Sequence, residues 1–479
     1  MFFYRRAEPP LEDAVSNYCG FLHPLLAVLL SLFDGAKRLN DVVREYTLLT
    51  GIEQQAVSAI VTSLVENKKE VALEFDRTTF YFPKNTLIKK ERGKGFRRYN
   101  PAGFLIPAES LDFDTKRLYV PIDLTLILTN RCATRCIYCY VDKHEALSCK
   151  IPFERITELI REAKELGMRS FMPSGGDLFT YRYWRALLRE LVANGFDPFV
   201  STKFPLTRRQ VEELKDIGIK EIQLSIDTVR KDEMVKMLGV NENYYDKILK
   251  TLEELDRHNF TIRVNSQVTS VNEGSAEELL DYMLRFENVR LVRFCATGYS
   301  LYKDAENYLA VRPGKTELAK IRALVEEREK LLRDRKIKLD FYEYPEEKYY
   351  AGSRQFKTDS YENRAQCSGN FRAFHILPDG KATICEELYW HPRFIIGDIM
   401  TQSIEEIWNS EEALSLYRLS QEEVGEGSAC RTCGKFDECH RQKGVCWKQV
   451  LYAYGEEKWD YPDPRCPEAP KPERTFWID

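Results

Sequence analysis

The sequence predicts an α/β protein, and three observations carry that reading. Strand-like and helix-like segments alternate between about residues 118 and 340, a small helical unit precedes them, and a cysteine-rich, weakly periodic region follows at 350–479. The strand segments are 118–128, 168–172, 198–201, 221–226, 261–268 and 289–294. Between them lie helical patterns such as Ile156, Leu159, Ile160, Ala163 and Leu166, whose spacing puts the apolar residues on one helix face. Six such repeats point to a parallel sheet. Strand order is not written in the sequence, and a curled open barrel and a doubly wound sheet fit the pattern equally.

Residues 1–85 read as a small winged helix. A short strand-like start leads into a helix at 23–33 that is stopped by Asp34-Gly35, and a second helix at 39–50 stops at Gly51. In the third, Val57, Ile60, Val61, Leu64 and Val65 repeat at i, i+3, i+4, i+7, i+8. Strand-like runs follow at 71–75 and 79–82. A basic linker at 86–117 carries Lys89, Lys90, Arg92, Lys94, Arg97 and Arg98 against Glu91, the pattern of a solvated face.

The 479 residues call for two to four domains. With 43% hydrophobic and 30% charged residues the composition is that of an ordinary soluble protein, and a net charge of −4 makes no case for nucleic acid. The start, MFFYRRAEPP, lacks a signal peptide's basic-then-apolar order, and the longest apolar run, 25–33, is too short to span a bilayer. The expected location is the cytoplasm, without a membrane partner.

Thirteen cysteines in such a chain argue for metal rather than disulfides. Cys132, Cys136 and Cys139 stand at C-x3-C-x2-C spacing after the first strand. Three thiolates on a [4Fe–4S] cluster leave one iron open to chelate a small ligand. Structural zinc wants a closed fourth ligand, and no histidine lies within four residues of the triplet, His144 being the nearest.

This spacing resembles the radical S-adenosylmethionine (SAM) superfamily. The resemblance implies a partial (β/α)6 barrel at 118–340. It also implies a reduced cluster that breaks the sulfonium bond of SAM to give a 5′-deoxyadenosyl radical. It puts Tyr138, the aromatic residue before the third cysteine, near the adenine. Ser174-Gly175-Gly176-Asp177 follows the second strand and resembles the family's Gly-Gly-Glu turn, which holds the SAM amino group, with Asp177 in place of Glu. Ser201 and Ser225 end the next two strands, where parallel α/β sheets bind ligands, and resemble ribose or carboxylate contacts.

At the C-terminus, Cys367, Gly380 and Cys385 are followed by Cys430, Cys433, Cys439, Cys446 and Cys466. The pattern resembles the SPASM domain, with one departure: C-x6-C from Cys439 to Cys446, with Lys443 where the family places a thiol. The resemblance implies two auxiliary clusters, making three in all, each expected to be [4Fe–4S]. Cys430, Cys433, Cys439 and Cys466 hold one; Cys367, Cys385 and Cys446 hold the other and leave its fourth ligand unassigned. A zinc ribbon would need a second C-x2-C. Of the spare thiols, Cys295 ends an apolar strand run and reads as a core residue, while Cys19 and Cys149 stand apart.

A winged helix ahead of such a barrel resembles the PqqD-like element of peptide maturases, which binds a leader peptide as an added strand. The implied activity is crosslinking of a ribosomally made precursor peptide, in the manner of thioether-forming sactipeptide and ranthipeptide enzymes. Carbon–carbon (cyclophane-type) crosslinking and sulfatase-type formylglycine maturation are the alternatives. The implied partners are the precursor with its leader and an electron donor such as flavodoxin or ferredoxin. An electron carrier or binding scaffold would have no use for an open-site triplet. No general base is assigned.

Overall fold

The computed structural model describes residues 2–4, 19–75, 78–88, 99–106, 117–141, 147–300, 305–332, 335–343, 354–364, 367–389 and 391–473. The linker cations at 89–98 and His144 lie outside the described residues. The chain forms two compact units, Met1–Asp114 and Thr115–Asp479.

In the first unit β1 (Phe2–Tyr4) pairs antiparallel with β2 (Cys19–Phe21), and α1 (Pro24–Ser31), α2 (Leu39–Thr50) and α3 (Gln54–Leu64) follow. The hairpin of β3 (Val71–Phe75) and β4 (Thr78–Phe82) completes it. Proline suits the first turn of α1, where His23 Nδ1 accepts from Leu25 N at 3.2 Å. Gly51 ends α2 in the left-handed conformation, φ +74°. Val57, Val61 and Leu64 of α3 are buried, the face its periodicity predicts. They pack against Leu29, Val42 and Tyr46 on one side and Leu26, Phe80 and Phe82 on the other.

The second unit opens with β5 (Asp123–Ile127), α4 (Phe153–Glu165), β6 (Ser170–Ser174), α5 (Trp184–Ala193) and β7 (Val200–Thr202). It continues with α6 (Arg208–Ile217), β8 (Glu221–Ser225), α7 (Lys231–Leu238), α8 (Asn243–Arg257), β9 (Thr261–Val268), α9 (Ala276–Met283) and β10 (Val289–Ala296). Next come α10 (Ala305–Val311), α11 (Lys315–Leu332), β11 (Lys338–Tyr342) and α12 (Arg354–Glu362). The last segment has β12 (Ala373–Ile376), β13 (Lys381–Thr383), β14 (Ile395–Asp398), α13 (Ile404–Trp408), α14 (Glu411–Tyr417) and α15 (Trp447–Tyr454).

Two five-stranded sheets result. One runs β7-β8-β9-β10-β11, every pair parallel. The other runs β6-β5-β12-β13-β14, parallel across β6, β5 and β12 and antiparallel beyond. The mixed helices and parallel strands fit a partial barrel. The six strands read from the sequence are all present, shifted by a few residues at their ends. Residues 118–122 precede β5 as irregular chain: Leu118 N bonds Phe371 O, and Trp408 Nε1 bonds Leu118 O.

Two further parallel strands, β11 and β12, extend the sheets. β11 is short and carries charge, and β12 has four residues, too few to show a period. Through β12 the cysteine-rich region continues the sheet of β5 and shares its core, so 115–479 is one compact unit. Arg117 fastens the join. Its guanidinium lies 4.1 Å from the Trp408 ring centroid and donates to Asn370 Oδ1 and the Trp408 carbonyl. Among the described residues no helix is long and apolar enough to cross a membrane.

Candidate metal and cofactor site

Side chains alternate along the strands of the β7–β11 sheet. Ile222, Leu224, Ile262, Val264, Val292 and Phe294 are fully buried. The opposite face carries Ser201, Gln223, Ser225, Gln267 and Cys295, brought into line by the register. Cys295 is therefore not a core thiol: it is half-buried, and burial raises its pKa to about 11 beside Arg293, Asp340, Asp227 and Lys203. Ser201 Oγ donates to Gln223 Oε1, and Gln223 Nε2 donates to Ser225 Oγ at 2.7 Å. The two predicted serines thus stand in one polar chain, joined by a glutamine that sequence reasoning missed.

The loop holding Cys132, Cys136 and Cys139 leaves the end of β5, and all three thiols are half-buried. Its backbone is pinned by the end of α7: Arg135 N donates to Leu238 O at 2.7 Å and Ile137 N to Met237 O at 2.9 Å. Gly175 and Gly176 press on the same loop. A Cβ on Gly175, whose φ is +143°, would sit 2.4 Å from Thr129 O, and one on Gly176 would sit 2.2 Å from Arg131 O. These glycines are required by the close passage of two backbones at the start of the cysteine loop.

Asp177 is turned inward and only 5% exposed. Its Oδ2 accepts from Thr202 Oγ1 at 2.7 Å and Lys203 N at 3.1 Å, and its Oδ1 from Phe179 N at 3.0 Å. Burial raises its pKa, and these hydrogen bonds oppose the rise. Its carboxylate ties β6, the end of one sheet, to β7, the end of the other.

Tyr138 donates its hydroxyl to Asp227 Oδ2. Lys203 Nζ lies 2.9 Å from both Asp227 oxygens and 5.4 Å from the Tyr138 ring centroid. Burial, then the Asp227 charge, holds the Tyr138 phenol well above its usual pKa. Lys203 and Asp227 were missed as site residues. Strand alternation would have found them, each lying two residues beyond a chosen serine.

The C-terminal cysteines divide into two groups. Burial raises Cys385 above the usual thiol range, and Glu387, then Cys446 and Cys367, add to it. Cys446 is pushed up to about 12, again by burial first, with Asp463 and Cys367 adding to it. Cys430, raised to about 12, and Cys466, raised to about 11, owe the rise to burial and then to a group that includes Cys433 and Cys439. Gln421 Nε2 fixes the C-x2-C turn by donating to the carbonyls of Cys430 and Cys433 at 2.8 and 2.9 Å. The unusual C-x6-C spacing is built as a π-helical turn, Cys439–Lys443, closed by Gly444 at φ +73°.

Asp463, its side chain fully buried, stands between the two groups. It accepts from Cys446 N at 3.1 Å and from Arg465 Nε at 2.7 Å, and its charge bears on Cys367, Cys439 and Cys466 as well. Cys149 lies apart, directing its thiol to Ile151 O at 3.7 Å.

Such a donor set fits iron–sulfur clusters. Buried thiols with raised pKa values stay protonated at neutral pH unless a cation takes the thiolate, and clustered thiols in this state are what a metal converts into ligands. Among the described residues no three His, Cys, Asp or Glu side chains converge as a single-ion site. A four-iron cube is a larger body, with ligands further apart.

Residues 126–288 match the radical SAM superfamily and residues 367–434 the SPASM iron–sulfur cluster-binding domain. A probable GTP 3′,8-cyclase of Methanocella arvoryzae is 26% identical over 162 residues, 33% of this chain and 52% of the relative. The chain spans only 50–58% of the GTP 3′,8-cyclases it matches. A PqqA peptide cyclase of Bradyrhizobium diazoefficiens is 25% identical over 373 residues, 74% of this chain and 89% of the relative. Among solved structures, Streptococcus suis SuiB bound to its precursor peptide SuiA shares the fold over 93% of each chain, with a TM-score of 0.62 and 17% identity. The chain thus carries a radical SAM domain followed by a SPASM domain, and its cofactors are S-adenosylmethionine and iron–sulfur clusters.

Proposed function

We propose that this chain is a radical SAM enzyme that installs a crosslink, preferably a thioether, in a ribosomally made peptide. One observation carries the reading: a half-buried cysteine triplet and two further cysteine groups stand in a single compact unit. The likeness to a PqqA peptide cyclase over most of both chains supports a peptide as substrate, as does the fold shared with SuiB bound to its precursor. When bound, the reduced cluster and SAM supply a 5′-deoxyadenosyl radical that takes a hydrogen atom from a peptide carbon.

In this reading Cys132, Cys136 and Cys139 hold the SAM cluster. Tyr138, held by Asp227 and Lys203, walls the adenine side, and the Ser201–Gln223–Ser225 chain lines the polar face beside it. Gly175 and Gly176 set the position of the cysteine loop. Cys430, Cys433, Cys439 and Cys466 hold one auxiliary cluster; Cys367, Cys385 and Cys446 hold the other. Residues 1–85 form the leader-binding element, with the peptide adding a strand beside the β3–β4 hairpin. The electron donor is a flavodoxin or ferredoxin, and the location is the cytoplasm.

A carbon–carbon crosslink is the second reading; the likeness to a PqqA peptide cyclase supports ring closure in a peptide by either bond. Mass spectrometry of the precursor, after incubation with reduced enzyme and SAM, tests both. Loss of two hydrogens marks a crosslink. Loss of one alkylatable thiol along with them marks a thioether, and a full thiol count marks a carbon–carbon bond. An unchanged mass would overturn the proposal. Removing residues 1–85 is expected to weaken precursor binding while sparing SAM cleavage.

A further inference from the structure

A small pocket lies between the barrel and the cysteine-rich region. Ile127, Asn130, Ser174 and Gly175 line it from the barrel side, and Pro378, Glu386 and Tyr389 from the other. It therefore touches both the glycine turn that fixes the cysteine loop and the residue next to Cys385. Its one charged lining group is Glu386.

Glu386 differs from its neighbour. Glu387 is fully engaged: Oε1 takes Lys448 Nζ and Oε2 takes the Tyr452 hydroxyl. The Glu386 carboxylate makes no hydrogen bond or ion pair with any described residue. Glu386 is half-buried and lines the pocket. Lys448, whose charge bears on Glu386, is already held by Glu387. Sheltering a carboxylate without a partner is costly, and the cost is offset when a cation completes the pair. Asp177, where the family turn would offer a carboxylate to an amino group, is committed to Thr202 and Lys203. Glu386 is the carboxylate left on the pocket wall beside Gly175.

We infer that Glu386 is the receptor for an ammonium group bound in this pocket. Two sources share that chemistry: the amino group of SAM and a lysine side chain of the peptide. The inference rests on the SAM-dependent reading above for its neighbourhood, but its test is independent of turnover. Anaerobic titrations of wild type, Glu386→Gln and Glu386→Asp, each loaded with iron, would measure binding of SAM. They would also measure binding of N-acetyl-lysine N-methylamide against its norleucine counterpart.

If SAM is the source, Glu386→Gln weakens SAM binding at least tenfold and Glu386→Asp by less. If the peptide is the source, SAM binding is unchanged. Wild type then prefers the lysine amide over the norleucine amide at least tenfold, and Glu386→Gln abolishes the preference. Equal binding by wild type and Glu386→Gln in both arms overturns the inference. Should Glu386→Gln fail to hold iron, Glu386→Asp decides by the same criteria. Absence of 5′-deoxyadenosine from wild type would defeat the SAM-dependent reading and leave the lysine-amide arm standing.

Discussion

Residues 371–424 and 425–473 follow one another in the same cysteine-rich region, yet they are held differently. In the first stretch β12 pairs with β5, β13 and β14 extend the sheet, and α13 and α14 cover it. Phe374, Ile376, Ile396, Ile404, Ile407 and Trp408 are all fully buried there. In the second the chain runs through short 3₁₀ turns and a π turn, and its longest regular element is the eight-residue α15. Five cysteines lie in it, with a buried acid between the two groups. Hydrophobic burial organises the first stretch. In the second, burial reaches α15, whose Val450, Leu451 and Ala453 sit in the same core, and the turns around it are expected to depend on metal for their order.

The largest expected effect separates both stretches from the barrel. Replacing Cys132, Cys136 and Cys139 together with Ala should abolish 5′-deoxyadenosine release and lower bound iron by about a third, one cluster of three. Retained SAM cleavage would sink the assignment. Removing iron with a chelator should next split the C-terminal region. Amide hydrogen exchange should rise sharply across 425–446 and 455–473 and stay slow in β12, β13, α13 and α15. Uniform loss of protection would show that the two stretches share one source of stability.

Trp408→Ala sharpens the contrast from the other side. It removes a buried ring that packs on Phe374 and stacks with Arg117, and should cost about 4 kcal/mol in chemical denaturation. The loss should be similar with and without iron. A smaller acid effect also belongs to the first stretch. Burial lowers the His375 pKa to about 4, and its Nδ1 has no hydrogen-bond partner among the described residues. The unfolded chain, with a pKa near 6.5, binds the extra proton between those values. Stability is therefore full above about pH 6.5 and falls as pH drops toward 4, by about 3 kcal/mol. Denaturation of the iron-free protein across that range should show the slope, and His375→Leu should flatten it.

Legibility in the sequence followed local pattern. β9 is read at its full length because its alternation of buried and open residues is unbroken. β12 is invisible because four residues carry no period, and its partner β5 lies some 250 residues away. The cysteine groups were legible as spacing, since a metal site repeats a short motif. Gln223 and Asp463 were not, because each is defined by a partner 22 or 17 residues away in sequence, while Lys203 and Asp227 needed the strand alternation carried two residues further. Asp177 shows the limit most clearly: the motif located it, and only the fold reveals that its carboxylate faces inward.

That inward turn has a mechanical consequence. β6 and β7 end separate ladders, and Asp177 links them through Thr202 and Lys203. The Asp177 side chain crosses between the two sheets at this point, beside the contact of the Phe179 and Phe204 rings. The glutamate of the resembling family is one methylene longer. In this protein the shorter acid acts as a tight coupling between the half that positions the cysteine loop and the half that bears Tyr138's partners. Asp177→Glu would add one carbon–carbon bond, about 1.5 Å, to that link.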